Sequence, residues 1–539
     1  MPMDGARPTE ASARVDLRLV PAALAAWGAT ASAITWPVGN VTAVLCVVVG
    51  AAAGGVLWIE RHQQRSRRRL VATGVLAVAI VAATFSWSAA VRADAVRQHP
   101  IAALAGSSTL VTVVADEQPR PLRGGGRVMF RAALARIGTD EVNGRVVVFA
   151  PARDFAMLTP GRPASFRAEV SRPLRRDLSV AVLNAAGRPT LGEASALQRA
   201  AQRLRARFAD SARVTLPPDQ AAVLPALVLG DTSTLAPEVV ARFRRAGLTH
   251  LTAVSGANVT IVCGTLLLTA GLWGPRVAVV LAGIALSAFV VVVGPSASVL
   301  RAAVMGAIAL LGVLSHRRRQ AVPALAATVI ALLIVAPELA VDAGFALSVS
   351  ATAALVTVAP VWSSRLVARG WPKLLADAVC VAAVAQLVTA PLIAGISGQV
   401  SLVSVLANVA VSPVIPPITV LGTAAAALCP MWADAARILI RFTGPELWWL
   451  LTVAQWAGGM PGATMSVPSR LSGFSIVALA GIGVVLLSRM LPAALRRALV
   501  ARSPGEFRGP SSGAGRRGTA RRARCSDSVE RRSDARWHG

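Results

Sequence analysis

Apolar runs long enough to cross a bilayer, set apart by short clusters of arginine, dominate this chain and leave it few ways to fold. A helix needs about 20 mostly apolar residues to span the hydrocarbon core, and cytoplasmic loops collect Arg and Lys. Residues 20–36, 38–59 and 70–90 make three such runs, and the second and third flank the basic loop Arg61 to Arg69. The first run has no small-residue cleavage site and a second follows closely, so it reads as a retained span. With Arg61–Arg69 inside, the amino terminus is inside and the chain leaves the third span outside. Apolar patterning returns after residue 220, with spans expected at 248–272, 276–293, 296–314, 321–336, 341–361, 374–395, 400–428, 434–457 and 471–490. The basic clusters His316–Arg319 and Arg365–Lys373, the pair Arg437 and Arg441, and the tail after Arg489 all then fall inside. The fold class predicted is a polytopic α-helical membrane protein of about 12 spans, both termini cytoplasmic. Charged residues make up 15% of the 539, against about 25% in soluble domains. A net charge of +29 would suggest nucleic acid in a soluble chain; here it serves mostly to orient the spans.

Between the two apolar blocks lies a polar stretch with short β-like segments, Thr109–Val114, Arg127–Ile137, Val142–Phe149 and Ser165–Val170, separated by Gly, Asn and Pro. That pattern predicts a small all-β OB-like domain outside the membrane, and it also allows a small sandwich. The organisation predicted is therefore 1–90, amino-terminal spans; 91–195, the extracytoplasmic β domain; 196–219, an amphipathic linker helix; 220–490, the main helical domain; 491–539, a basic disordered cytoplasmic tail. In the linker, Arg199, Arg203 and Arg207 recur every four residues, as on a solvated or headgroup-facing side. Cys46, Cys263, Cys380 and Cys429 fall in apolar segments and Cys525 in the tail, so no disulfide is expected in the β domain.

Several chemistries are excluded. The only lysine, Lys373, is followed by Leu, so no glycine-rich phosphate loop ends in Lys-Ser/Thr. His62, His99, His250, His316 and His538 are scattered without zinc-ligand spacing. No cofactor, metal or enzymatic activity is expected. The chemistry that remains is polarity inside the membrane. Thr249 to Asn258 opens a span with Ser255 and Asn258 on one face, read either as helix–helix glue or as functional polarity. Arg301 and Asp342 each sit near the outer start of a span, as does His250, and an Arg301–Asp342 pair is expected at the outer mouth. Ser401, Ser404, Asn408 and Ser412 share one helical face, and Pro413, Pro416 and Pro417 then interrupt the helix. Four such side chains are costly toward lipid, so the stripe is expected to turn inward.

Gly247-Leu-Thr-His-Leu-Thr-Ala-Val-Ser-Gly-Ala-Asn258 resembles the hallmark segment of the ComEC-type competence family. Leu224 to Asp231, Leu300 to Met305, Asp342 to Ser348, Ala385 to Pro391 and Ser401 to Pro413 are similar to further segments of that family, in the same order. The resemblance implies a channel that carries single-stranded DNA across the bacterial cytoplasmic membrane during natural transformation. It implies a path past His250, Ser255, Gly256, Asn258, Arg301, Asp342, Ser348, Gln386, Ser401, Ser404, Asn408 and Ser412. The implied partners are single-stranded DNA, the lipid bilayer, and a separate DNA receptor, nuclease and cytoplasmic motor, with homo-oligomerisation open. Two departures stand out: the family's metallo-β-lactamase-like motif is absent from the sequence, and Asn258 stands where a His is common. A secondary transporter or flippase for a small anionic or lipid-linked substrate is the alternative reading, since broken helices and midplane polarity suit it too.

Overall fold

Three apolar helices open the chain: α1 (Val20–Thr35), α2 (Gly39–Ile59) and α3 (Arg67–Arg97), which pack on one another. The structure, a computed structural model, describes residues 16–36, 39–59, 67–122, 126–173, 175–252, 256–294, 297–314 and 321–501. Ser255, the basic loop from 61 to 66, His316–Arg319 and the tail from 502 lie outside the described residues. Residues 1–480 form one unit and 481–539 a second.

The polar stretch folds as a barrel of short strands: β1 (Ser108–Ala115), β2 (Arg120–Pro121), β3 (Arg127–Ile137), β4 (Asp140–Pro151), β5 (Pro163–Ser171) and β6 (Ser179–Leu191). β1 pairs with both β3 and β5, so the circuit β1-β3-β4-β6-β5 closes on itself. β4 and β6 run parallel, the other neighbours antiparallel. Closure removes the open edges a sandwich would keep, and the OB-like expectation holds over the sandwich. Alternate residues of β3 point inward, where Phe130 and Phe166 flank Phe155 at 6.0 and 5.2 Å between ring centroids. Strand β6 was not foreseen: its Ala, Gly and Pro have low β propensity, and it bends at Gly187, where φ is +75° and the register with β5 shifts.

Helices follow over the rest of the described residues: α4 (Ala196–Thr215), α5 (Pro218–Leu229), α6 (Pro237–Arg245), α7 (Thr249–Thr252), α8 (Gly256–Ala270), α9 (Pro275–Val293), α10 (Ala297–Leu314), α11 (Ala321–Val335), α12 (Ala343–Thr357), α13 (Ala359–Val367), α14 (Lys373–Ser397), α15 (Ser404–Val411), α16 (Ile415–Leu428), α17 (Ala433–Phe442), α18 (Gly444–Gly459) and α19 (Leu471–Ala501). A small hairpin of β7 (Gln399–Ser401) and β8 (Thr464–Ser466) joins the starts of α15 and α19. Helix α4 begins with a reciprocal cap between Ser195 and Gln198. Its amphipathic character holds, with Phe208 and Ala212 buried and Arg203 and Arg207 exposed. The largest core joins α4, α5 and α6 to the late helices through Phe208, Leu224, Phe243, Ile418 and Leu447.

Two runs read as single spans are broken: segment 434–457 divides between α17 and α18, and 400–428 bends by 56° between α15 and α16. The link between α7 and α8, residues 253–255, lies outside the described residues. The bend falls where Pro413, Pro416 and Pro417 remove backbone donors. By length and apolarity, five described helices can cross a membrane, or six if the bent pair counts as one. The expected twelve is not reached by that measure, because α1, α8, α10, α11 and others are apolar but shorter.

Two arginines on the barrel face meet the bundle: Arg131 pairs with Asp342 at 3.3 Å and Arg145 with Glu338 at 2.6 Å. Gln202 of α4 bonds Thr159 at 2.7 Å and Arg176 donates to the Thr35 carbonyl, so the barrel sits where α1 ends and α12 begins. Burial pushes the Asp116 carboxyl up from its ordinary range, against the pull of Arg145 and with the repulsion of Glu117 and Glu338. A raised carboxyl favours the protonated folded form, so ionised Asp116 costs stability above its folded value, and that cost fades as pH falls through it. Asp116→Asn is expected to raise the melting temperature of the full chain at neutral pH. The gain should vanish well below pH 3.8, the group's ordinary value, and melting curves across pH check it.

Candidate functional site

Helix α6 has to stop where the chain turns toward α7, and Gly247 makes that possible. Its φ of +73° is left-handed, and Leu248 N donates to Phe243 O at 2.8 Å while Gly247 N donates to Arg244 O at 3.1 Å. This pair of bonds is the glycine-terminated helix end that L residues with a Cβ resist. Such an end leaves carbonyls over, and the polar stripe of the facing segment takes them. Ser401 Oγ donates to Arg245 O at 2.8 Å, and Asn408 Nδ2 reaches Gly247 O at 3.5 Å, the long limit of a hydrogen bond. Asn408 Nδ2 also donates to Ser404 O at 2.8 Å and to Ser404 Oγ at 3.2 Å. A Cβ added to Gly247 would lie 2.4 Å from Ser404 Oγ. From the neighbouring helix, Gln386 Nε2 donates to Ser401 O at 3.1 Å. His250, three residues after Gly247 in α7, lies beside the Gly247 backbone and is exposed. Five residues singled out in the sequence, His250, Gln386, Ser401, Ser404 and Asn408, thus converge on one turn. Ser412 does not join them; it donates to Val409 O on its own helix and is exposed.

A second cluster surrounds Arg301, in the second turn of α10 and only 6% exposed. Its Nε donates to Ser348 Oγ at 2.8 Å and its Nη1 to Thr352 Oγ1 at 2.7 Å, with Met305 Sδ at 3.4 Å. Its Nη2 lies 3.0 Å from where a Gly256 Cβ would stand, so Gly256 gives the guanidinium its room. Asn258, two residues on, is buried and donates to Leu227 O at 2.9 Å, near the end of α5. Thr352 was missed in the sequence, although its spacing of four from Ser348 on one face of α12 marks it as a partner.

The expected Arg301–Asp342 pair does not form. Asp342 caps α12, accepting from Phe345 N at 2.8 Å, and its other oxygen faces Arg131 of the barrel. Arg301 instead meets the second and third turns of α12, about 1.5 Å deeper per residue. His250, Arg301 and Asp342 share no hydrogen bond or ion pair with one another among the described residues. The sequence also gave no sign that Arg131 and Arg145 would face the bundle.

Residues 227–492 match the model of the family described as Competence protein. The motif resemblance is therefore borne out for the helical half of the chain. ComE operon protein 3 of Bacillus subtilis (strain 168) is 29% identical over 201 residues, 37% of this chain. The match spans 25% of that relative's length. No solved structure matches the chain.

Gly247→Ala should both strain the turn and collide with Ser404. The left-handed conformation alone costs roughly 1–2 kcal/mol for a residue with a Cβ. Thermal unfolding of the purified chain should show a marked loss of stability, and Ser404→Gly in the same chain should restore part of it. A Gly247→Ala protein as stable as the parent would contradict the geometry.

Proposed function

We propose that this chain is the membrane conduit through which one strand of DNA enters a bacterium during natural transformation. The observation that carries the reading is a closed barrel with Arg131 and Arg145 on one face, seated at the end of an apolar bundle that holds a buried cation and a band of hydroxyl and amide groups. The match of residues 227–492 to the Competence protein family supports the same reading. A strand needs a polar or cationic lining for its phosphates and little base readout.

In this reading the chain crosses the cytoplasmic membrane twelve times, with the shorter and broken helices completing the count. The barrel faces outward and both termini inward, as the basic loops require. The chain supplies passage and no catalysis. Degradation of the second strand, capture of DNA at the surface and the driving force belong to separate proteins. The 56° bend between α15 and α16 favours one other reading, a secondary transporter built on a broken helix; failure of DNA import alongside loss of a small-anion flux would single it out.

Uptake of labelled DNA into intact cells tests the proposal. A strain lacking the gene should take up no labelled strand into the cytoplasm, and restoring the gene should restore uptake. Undiminished uptake in the deletion strain would overturn the reading.

A further inference from the structure

Among the described residues, Arg301 is a buried cation without a counter-charge. Ten ion pairs join described residues and none includes it. Its hydrogen bonds go to two neutral hydroxyls and a thioether, and no hydrogen bond holds its Nη2 among the described residues. Hydroxyl dipoles lower the cost of burying a guanidinium but leave its full charge in place. An ionisable side chain kept inside an apolar bundle on those terms is normally there for a ligand or a path. Its surroundings are not sealed: Gly256, Met305, Ser348 and Thr352 are each half-buried, so the cation lies one side-chain layer from accessible space.

We propose that Arg301 is an anion site, and that its ligand is a phosphodiester group of the passing strand, which displaces the Ser348 and Thr352 hydroxyls from the guanidinium. The ligand identity rests on the DNA reading above; the anion site does not. A planar guanidinium grips a phosphate by two parallel N–H bonds, and two neutral hydroxyls are partners that a phosphate outcompetes. The hydroxyls therefore hold Arg301 in register when the bundle is empty and release it when a phosphate arrives. Helix α12 ties this exchange to the barrel, because it carries Asp342, the partner of Arg131, at its cap and Ser348 and Thr352 on its following turns.

The test uses the purified full chain in detergent and a fluorescent oligothymidylate, with affinity measured over a salt series. Arg301→Gln should weaken binding at least tenfold at low salt. It should also flatten the slope of log affinity against log salt by about 0.7, the share of one single-strand phosphate contact. Arg301→Lys should keep the slope. A structural role would not move the slope, so an Arg301→Gln protein with the parental slope and affinity would overturn the proposal. Should Arg301→Gln fail to fold, the double change Ser348→Ala with Thr352→Val decides. It frees the guanidinium from its resting partners and should tighten oligonucleotide binding several-fold, whereas unchanged or weaker binding would overturn the proposal. Inorganic phosphate, exchanged for chloride at constant ionic strength, probes the site without DNA. It should raise the melting temperature of the parent and, by less, of Arg301→Lys, whose point charge lacks the second parallel N–H bond, and no effect on the parent would refute the anion site. A parent that responds to phosphate but ignores the oligonucleotide would keep the site and reject the DNA reading.

Discussion

Among apolar helices a carbonyl or an N–H without a partner has nowhere to go, and this requirement shapes the polar chemistry of the bundle. Every helix that stops inside it leaves such groups over. The turn at Gly247 is the clearest case: α6 ends, and Ser401 and Asn408 gather on the carbonyls at its end, with His250 beside them. Asn258 serves Leu227 O at the end of α5 in the same way. The bent pair α15–α16 lets this polar segment face the turn while the apolar remainder of each helix packs into the core. Most of the conspicuous polarity therefore answers to the backbone, and Arg301 stands apart as polarity that the backbone does not require.

That distinction reorders the site. Ser404 and Asn408 shape the wall of the bundle by fixing the α6–α7 turn and with it the position of His250. Arg301, as the proposed anion site, would act through charge. The two clusters meet in the hallmark segment itself, whose Gly247 end anchors the first and whose Gly256 makes room for the second. Asp342 gives up the role of partner to Arg301 and takes that of a joint between barrel and bundle, with Glu338 beside it.

The helical class, the barrel and the hallmark segment were legible because each follows a short-range rule: apolar length, alternation in β3, ordered motifs around Gly247 and Asp342. Strand β6 was not, since Ala186, Gly187 and Pro189 carry turn chemistry and only pairing with β5 on either side carries the strand through them. Of the four residues read as one helical face, Ser404 and Asn408 lie on α15, whereas Ser401 belongs to strand β7 and Ser412 bonds its own helix, and spacing cannot say which backbone groups lie opposite. The partner of Asp342 was misjudged for a related reason. Matching depth on two helices suggested Arg301, while the true partner, Arg131, comes from a strand 211 residues earlier. Long-range docking of this kind leaves no periodic trace in a sequence.

A strand caught in transit would test the conduit directly. A photoreactive side chain placed at Thr352, beside Arg301, and separately at Leu268, an apolar side chain 81% exposed on α8, compares the interior path with the outer surface of the bundle. In intact cells taking up labelled DNA, irradiation should yield a protein–DNA adduct from position 352 and none from position 268. Adducts from 268 alone, or from neither position while DNA is entering the cells, would contradict passage through this bundle.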